Sequence, residues 1–334
     1  MPRVSVVMPA YNAAAYLPEA VRSILEQTFT DFELIVVDDG STDDGPKILA
    51  SFDDARLRVV RQENAGVAAA LNAGLAEANG EYIARMDADD IAAPHRLAVQ
   101  VAFLNRWPKI AAVSCELVFI DGDGNALEYG IRRPCSPLAI RRATLLGAPI
   151  VHAALLARAS FFERYGGYRV EMKHVEDYDL WVRAMNDARF AALPFEMYHC
   201  RRHGGSVSGQ WSDLQKTNTL AVRERALDQA RIGDGLYRRF GAGRAAGRRL
   251  CDALADAPSE KVRAAADLDF FTLGAALSLA VMKKRWRVAT EIAAEMAGFA
   301  AAQPGALVRT LAQSSWRARD YYLQAAGVRP RGRA

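Results

Sequence analysis

Short apolar runs and longer amphipathic stretches alternate along the first third of the chain. Val4-Ser5-Val6-Val7-Met8, closed by Pro9 and a Tyr11-Asn12 turn, has the pattern of a buried strand. From Ala13 to Gln27, Leu17, Ala20, Val21, Ile24 and Leu25 fall on one stripe, which predicts a helix. Glu33-Leu34-Ile35-Val36-Val37 predicts a second strand that stops abruptly at Asp38-Asp39-Gly40-Ser41-Thr42-Asp43. A helix around Gly45 to Ser51 and a third strand, Leu57-Arg58-Val59-Val60, follow. Asn64-Ala65-Gly66 opens a helix to about Ala78, and Asn79-Gly80 turns into a strand that runs to Asp87. Strand and helix in alternation indicate an α/β fold with a doubly wound, mainly parallel, Rossmann-like sheet.

Farther on, Pro94 to Trp107 is helical in spacing through Leu97, Val101 and Leu104, with Pro108 ending it. Ala111-Ala112-Val113-Ser114 predicts another strand. Asp121-Gly122-Asp123-Gly124-Asn125 predicts a hairpin loop, since the later Glu of a calcium loop is missing. Phe195 to Cys200 is a further strand, and Val175 to about Asn186 an amphipathic helix.

Ligands of such sheets bind outside the carboxyl ends of the strands. Pro9 to Asn12, Asp38-Asp39 and Asp87-Ala88-Asp89-Asp90 all fall there. A strand alternates sides, so Asp87 and Asp89 tend to share one. Two carboxylates side by side repel unless a cation lies between them, and oxygen ligands suit Mg²⁺ or Mn²⁺ shared with substrate phosphates. The plainer alternative is a polar turn, with Asp90 capping the helix that follows. Neither Gly-x-Gly-x-x-Gly nor Gly-x-x-x-x-Gly-Lys-Ser/Thr follows the first strand, which removes the signatures of a dinucleotide oxidoreductase and a P-loop phosphotransferase. A carboxylate after the second strand and others after a later one suit a nucleoside diphosphate with something attached.

The 334 residues are 51% apolar and 25% charged, as in soluble proteins of one large or two modest domains. Cys115, Cys135, Cys200 and Cys251 show no Cys-x-x-Cys spacing, which points to a reducing compartment and away from structural zinc. The start does not read as a signal peptide and no run of about twenty apolar residues occurs, so a cytoplasmic protein is expected. Charge is unevenly spread. Residues 211–334 hold 21 Lys and Arg against 12 Asp and Glu, leaving 22 against 27 before them. A basic tail suits nucleic acid, anionic lipid, an acidic acceptor, or simply a solvated Arg-rich surface. That tail is Ala- and Arg-rich and helical in texture, broken near Gly233, Pro258 and Pro304. Its apolar run Phe270 to Met282 is too short to span a bilayer, and Lys283-Lys284-Arg285-Trp286-Arg287 beside it can touch anionic headgroups. Arg329 to Ala334 reads as a frayed end.

Val4 to Asn12 (VSVVMPAYN), Leu34 to Asp43 (LIVVDDGSTD), Asn64 to Gly74 (NAGVAAALNAG) and Tyr82 to Asp90 (YIARMDADD) resemble the successive motifs of bacterial-type family 2 glycosyltransferases with the GT-A fold. Those enzymes are mostly inverting and use nucleotide sugars. The likeness continues through Pro94-His95-Arg96-Leu97, Gln100, Phe103-Leu104, Gly166-Gly167-Tyr168, Glu176 to Trp181 and Arg201 to Ser208, and so covers about residues 3–210. It implies a GT-A domain over residues 1–210, followed at 211–334 by a helical region for acceptor, oligomer or membrane-surface contacts.

The resemblance also implies roles. Pro9, Ala10, Tyr11, Asn12, Asp38, Asp39, Asn64 and Gly66 would surround the nucleotide, with Asp39 on the polar edge of the base. Arg85, Asp87 and Ala88 would lie along the ribose and diphosphate, and Asp89 would hold Mn²⁺ or Mg²⁺, with His203 and Asp87 as further ligands. Asp177 would be the general base, with His152, Glu176 and Trp181 on the acceptor side. Other readings stay open: Glu176-Asp177 as a charged first helical turn, His152 as a hydrogen-bonded core histidine, His203 as a lid residue with Arg201 or Arg202 on the diphosphate. Ala70-Leu71-Asn72 departs from the pattern by offering no basic residue; Arg85 could supply that charge or pair with a neighbouring carboxylate.

The function expected is transfer of a sugar from a nucleotide sugar, with UDP favoured because a carboxylate such as Asp39 accepts from a uracil N–H. The acceptor expected is a glycan, lipid-linked or other hydroxyl; the enzyme itself is expected in the cytoplasm, with peripheral contact at the inner face of the cell membrane and homo-oligomers allowed, and no nucleic acid partner is expected. Alternatives are a metal-dependent phosphohydrolase, whose Asp-x-Asp usually follows the first strand rather than the fourth, and a non-catalytic nucleotide-sugar-binding module.

Overall fold

A computed structural model of the chain describes residues 1–127, 134–145, 147–204 and 213–229. Its strands are β1 (Val4–Ala10), β2 (Phe32–Asp38), β3 (Leu57–Arg61), β4 (Tyr82–Arg85), β5 (Ile91–Ala92), β6 (Ala112–Ile120), β7 (Leu156–Arg158) and β8 (Phe190–Arg201). The helices are α1 (Leu17–Leu25), α2 (Gly45–Ala50), α3 (Val67–Glu77), α4 (Arg96–Arg106), α5 (Pro137–Ala143), α6 (Ala159–Tyr165), α7 (Glu176–Ala184) and α8 (Asp213–Gln229), with a 3-10 turn at His152–Ala154.

The strands form one sheet in the order β3-β2-β1-β4-β7-β6-β8-β5. β1 is parallel to β2 and β4, and β2 to β3, so the first four strands end at one rim. Alternate residues of β1 serve the two faces. Val4, Val6 and Met8 pack with Leu17, Val21 and Ile24 of α1, whereas Val7 packs with Leu71, Ile83 and Trp181. Burial on both faces explains why the strand sequences are unbroken apolar runs rather than alternating ones. Gly74 lets α3 lie close on β1, since a Cβ there would sit 2.4 Å from Val7 Cγ1.

β7 runs antiparallel to β4 and to β6. This reversal brings the 3-10 turn before it to the rim where β4 ends, and Arg85 N–H donates to Leu155 O at 2.9 Å. β6 and β8 are parallel, and β8 ends at that same rim with Ile91 of β5 opposite His199. Distant segments therefore converge on one edge.

Several boundaries differ from expectation. α4 starts at Arg96 instead of Pro94 because the preceding residues form β5 and pair with β8. β6 runs on to Ile120 and β8 begins at Phe190, since their mutual pairing, irregular around Glu116, extends both beyond their apolar cores. The Asp121–Asn125 loop closes as expected, with Asp121 N–H donating to Asn125 O and an Ile120–Ala126 bridge. Of the tail, α8 is described, and it docks on the rest through the buried side chains of Val222 and Ala226. Gly205 to Ser208, Phe270 to Met282, Lys283 to Arg287 and Arg329 to Ala334 lie outside the described residues. Among the described residues, no helix is long and apolar enough to cross a membrane.

Candidate active site

The rim begins with the tips of β1 and β2. Asn12 has a left-handed φ of 49°. Its N–H donates to Ser41 Oγ at 3.0 Å, and its Oδ1 accepts from Thr42 N–H at 2.9 Å. Asp38 Oδ1 accepts from Ser41 N–H at 2.9 Å, while Arg61 Nε approaches its buried Oδ2 to 3.3 Å outside hydrogen-bond alignment. Asp39, equally buried, holds the loop before α3: Oδ1 accepts from Gln62 Nε2 (2.7 Å) and Ala65 N–H (2.9 Å), and Oδ2 from Gly66 N–H (2.9 Å). A carboxylate has about four acceptor positions, so one remains, on Oδ2, for the N–H of a base. Gly40 and Gly66 both have positive φ, and a Cβ on Gly40 would sit 2.8 Å from Asn64 N. Tyr11, Asn64 and Gly66 are exposed on this side, with Pro9 half-buried and Ala10 buried behind them.

After β4 the chain delivers Asp87, Asp89 and Asp90, and one carboxylate oxygen from each lies within 4.8 Å of the other two. The alternation holds: Asp87 and Asp89 are half-buried, Ala88 and Asp90 buried. Burial, together with the Asp87 and Asp89 charges, pushes Asp90 well above the usual carboxylate range. Asp87 is also raised, by burial first and partly by Asp89, although Arg85 pulls the other way. Mutual destabilisation of the charged forms is what a cation would relieve. Asp90 caps no helix. Its Oδ1 accepts from Arg201 N–H at 2.7 Å, fastening the loop to the end of β8. Arg85 is buried and donates Nη1 to Asp87 Oδ2, so it pairs with a carboxylate as one of the two expectations had it. Asp89 Oδ2 lies 2.9 Å from His203 Nε2, and Tyr16 packs on the His203 ring at 4.7 Å between centroids. Asp87, Asp89 and His203 thus share one site with Asp90, which the sequence reading left out of the metal set.

Arg201 is a structural tie, unlike the alternative reading that put Arg201 or Arg202 on a diphosphate. Its guanidinium is buried against the Tyr16 ring and donates to Asp89 O (2.9 Å), Asp121 O (3.2 Å), Gly122 O (2.9 Å) and the Glu19 carboxylate. Arg202 lies over the Phe119 ring, 4.3 Å from its centroid. Arg96 is fully buried beneath the carboxylate loop and donates to Arg85 O at 2.7 Å, Leu155 O at 3.3 Å and Gln100 Oε1 at 3.2 Å. Tyr198 Oη accepts from Asp87 N–H at 3.1 Å. Arg96 and Gln100 fall one turn apart on the apolar face of α4; two polar residues there are the available signal that a buried network was needed.

The opposite wall comes from the 3-10 turn and α7. His152 Nε2 is 2.8 Å from Tyr168 Oη, and burial with the Arg85 charge holds the imidazole well below its usual pKa, hence neutral. His152 is thus hydrogen-bonded but only half-buried. Asn72 reaches the same element: Nδ2 donates to Tyr168 O at 2.7 Å and Oδ1 accepts Tyr168 N–H at 2.9 Å. Asn72 is therefore a backbone clamp, and α3 supplies no phosphate ligand at this point. Asp177, half-buried in the first turn of α7, accepts from Tyr178 N–H at 2.6 Å. Glu176 is buried with Oε2 unpartnered, and burial plus the Asp177 charge pushes it up to about 7. Arg85 and Asp87 act electrostatically on Glu176, so the start of α7 lies near the carboxylate loop, and the space between them is the candidate site. Trp181 does not line that space. It is fully buried among Phe161, Phe190 and His152, one turn past Asp177, and stiffens the wall from behind. An open cleft lined by Lys109, Arg158, Tyr165 and Arg189 lies at the other end of β7 and contains none of these carboxylates.

The model of the family described as glycosyl transferase family 2 matches residues 5–166. The chain is 35% identical over 190 residues to the putative glycosyltransferase EpsE of Bacillus subtilis, covering 54% of this chain and 66% of that one. It is 31% identical over 243 residues to an uncharacterized glycosyltransferase of Rickettsia typhi, covering 72% and 71%. With chondroitin synthase of Escherichia coli it shares 30% identity over 240 residues, which is 71% of this chain but only 34% of that much longer protein. Its fold matches that of S. aureus TarS 1-349 in complex with UDP-GlcNAc at a TM-score of 0.61 and 20% identity, over 89% of this chain and 91% of that one. The strand order, the carboxylate rim and these likenesses agree: the chain belongs to the family 2 glycosyltransferases and has their GT-A fold.

Proposed function

We propose that the chain transfers a sugar, with inversion, from a nucleoside diphosphate sugar to an acceptor hydroxyl. The observation that carries this reading is the Asp87–Asp89–Asp90 cluster at the sheet rim, with Asp87 in electrostatic range of Glu176 at the start of α7, next to Asp177. The donor set fits a hard divalent ion: three carboxylates within 4.8 Å, two of them with raised pKa, beside an imidazole. Asp89 would hold Mn²⁺ or Mg²⁺ with Asp87 and His203, and Asp90 would brace the loop. The chemistry such an ion supplies is neutralisation of charge on the departing diphosphate.

The nucleotide lies along Pro9 to Asn12, Asp38-Asp39 and Asn64 to Gly66, with Asp87 toward the ribose. UDP is the favoured carrier, supported by the UDP-GlcNAc bound to the TarS fold relative. Asp177 takes the proton of the acceptor hydroxyl as it attacks the anomeric carbon from the face opposite the diphosphate. Glu176 and His152 contact the acceptor side, Glu176 as a neighbour partly protonated at neutral pH and His152 as a neutral partner fixed by Tyr168. The basic tail beyond residue 210 offers acceptor, membrane-surface or oligomer contacts.

Incubation of the purified chain with a panel of nucleotide sugars and Mn²⁺, reading donor hydrolysis and thermal shift, tests this. One or more UDP-sugars should be hydrolysed slowly and stabilise the fold. Phosphate release from simple phosphoesters, with every nucleotide sugar inert, would replace the reading with a phosphohydrolase; binding without turnover would leave a binding module.

A further inference from the structure

Asp179, two residues past Asp177 in α7, is a fully buried carboxylate with three arginines around it. Arg183, one turn on, donates Nε to Oδ2 at 2.8 Å. Arg225 of α8 brings Nη2 to 2.6 Å from Oδ1, an ion pair without hydrogen-bond alignment. Arg169 lies 3.6 Å from that oxygen. Arg183 also donates to Tyr165 O and, at 2.6 Å, to Gly167 O. Gly166 and Gly167 both have positive φ, so those carbonyls belong to a turn that other residues form only under strain. Tyr168, next in that turn, holds His152. One buried charge thus gathers α8, α7 and the wall around His152.

A second tie comes from the same helix. His174, just before α7, has a left-handed φ of 64°, uncommon for a residue with a side chain. Gln215 Nε2 of α8 donates to His174 O at 3.1 Å, and Asn218 Nδ2 to Lys173 O at 3.1 Å. At the other end of α7, Asn186 Nδ2 donates to Gln229 O at 3.1 Å. The entry, middle and exit of α7 are therefore all held by a helix that follows the nucleotide-binding half.

We infer that α8 sets the position of the candidate base, with Arg225 acting through Asp179 and Gln215 through the His174 carbonyl as positioning residues for Asp177. This rests on the reading of Asp177 as the base. Removing Arg225 leaves Arg169 and Arg183 near Asp179, so the buried charge keeps partners and the fold persists. What is lost is the contact that draws the first turns of α7 toward α8, and a displacement of about 1 Å at a reacting group is worth up to a hundredfold in rate.

The test compares Arg225→Met, Arg225→Lys and Gln215→Ala with the parent, using Val222→Ala as a control that removes buried apolar packing from α8 without touching either tie. Amide hydrogen exchange on the full chain without ligand is read first, so the result does not depend on any donor. Arg225→Met should speed exchange over residues 167–180 about tenfold or more and leave residues 34–43 and 82–90 as in the parent; Lys should restore most of the protection. With a UDP-sugar that the parent hydrolyses, kcat should fall about tenfold while the donor KM stays within about twofold. Gln215→Ala should loosen residues 174–178 by a smaller factor. Unchanged exchange at 167–180 in Arg225→Met, equal loosening of every segment, or a Val222→Ala control with the same local pattern would each overturn the inference. So would local loosening with unchanged kcat. A parent inert toward all nucleotide sugars refutes the catalytic reading of Asp177 instead, and the exchange result then stands alone as evidence for α8 holding α7.

Discussion

The two walls of the site are built on opposite principles. The nucleotide wall consists of tips of neighbouring parallel strands, and its carboxylates Asp87, Asp89 and Asp90 crowd within 4.8 Å, raising the cost of their own charge. The wall of Asp177 and His152 is neutralised from within: Asp179 has its arginines, His152 its tyrosine, and Tyr168 its asparagine. One wall stores repulsion that a ligand would relieve, and the other is largely tied down before anything binds, Glu176 beside Asp177 excepted. A reaction needs both, a place to gather a metal diphosphate and a rigid carboxylate that does not move when it arrives.

Removing chemistry from the completed wall gives the largest expected effect. Asp177→Asn should lower transfer about a thousandfold with donor affinity by calorimetry unchanged; equal turnover of variant and parent would remove Asp177 from the mechanism. On the repulsive wall, EDTA should stop turnover and Mn²⁺ or Mg²⁺ restore it. Asp89→Asn should cost about a hundredfold and abolish stabilisation by Mn²⁺ in a thermal melt. Full activity in the chelator sinks the assignment of Asp89.

The third test addresses charge within the completed wall. Glu176 is pushed up from 4.5 to about 7, so the folded state holds a proton there that the unfolded chain has released. The native form binds more protons between those values, and stability therefore falls as pH rises from about 4.5 to about 7, by on the order of 3 kcal/mol. Glu176→Gln should flatten that part of the melting-temperature profile; an unchanged slope would show that Glu176 is ionised in the fold. The smallest effect is expected from Asn72→Ala, which removes both bonds to the Tyr168 backbone and should cost about 1–3 kcal/mol, measured by urea unfolding.

Legibility follows the same division. Asp38, Asp39, Asp87 and Asp89 stand at the ends of apolar runs, and parallel strands put such ends on one rim whatever their sequence distance, so that wall could be read from order and spacing. The roles of individual side chains there could not. Asp39 gives three of about four acceptor positions to the loop before α3, and Arg201, 112 positions from Asp89, grips that residue's carbonyl. Trp181 has the spacing of a pocket residue and of a core residue alike. Only the packing of Phe161 and Phe190 against it decides for the core.

Local periodicity, turn residues and motif order were enough to determine the sheet-and-helix alternation, the carboxylate rim and the family. They act over a few residues, where the chain's own geometry dictates which side chains share a face. The reversal of β7, the extension of β6 and β8, the burial of Arg96 and Arg201 and the tie between Asp179 and α8 were decided by tertiary structure alone. Each depends on satisfying a buried polar group with a partner tens to more than a hundred positions away, and no local pattern carries the address of that partner.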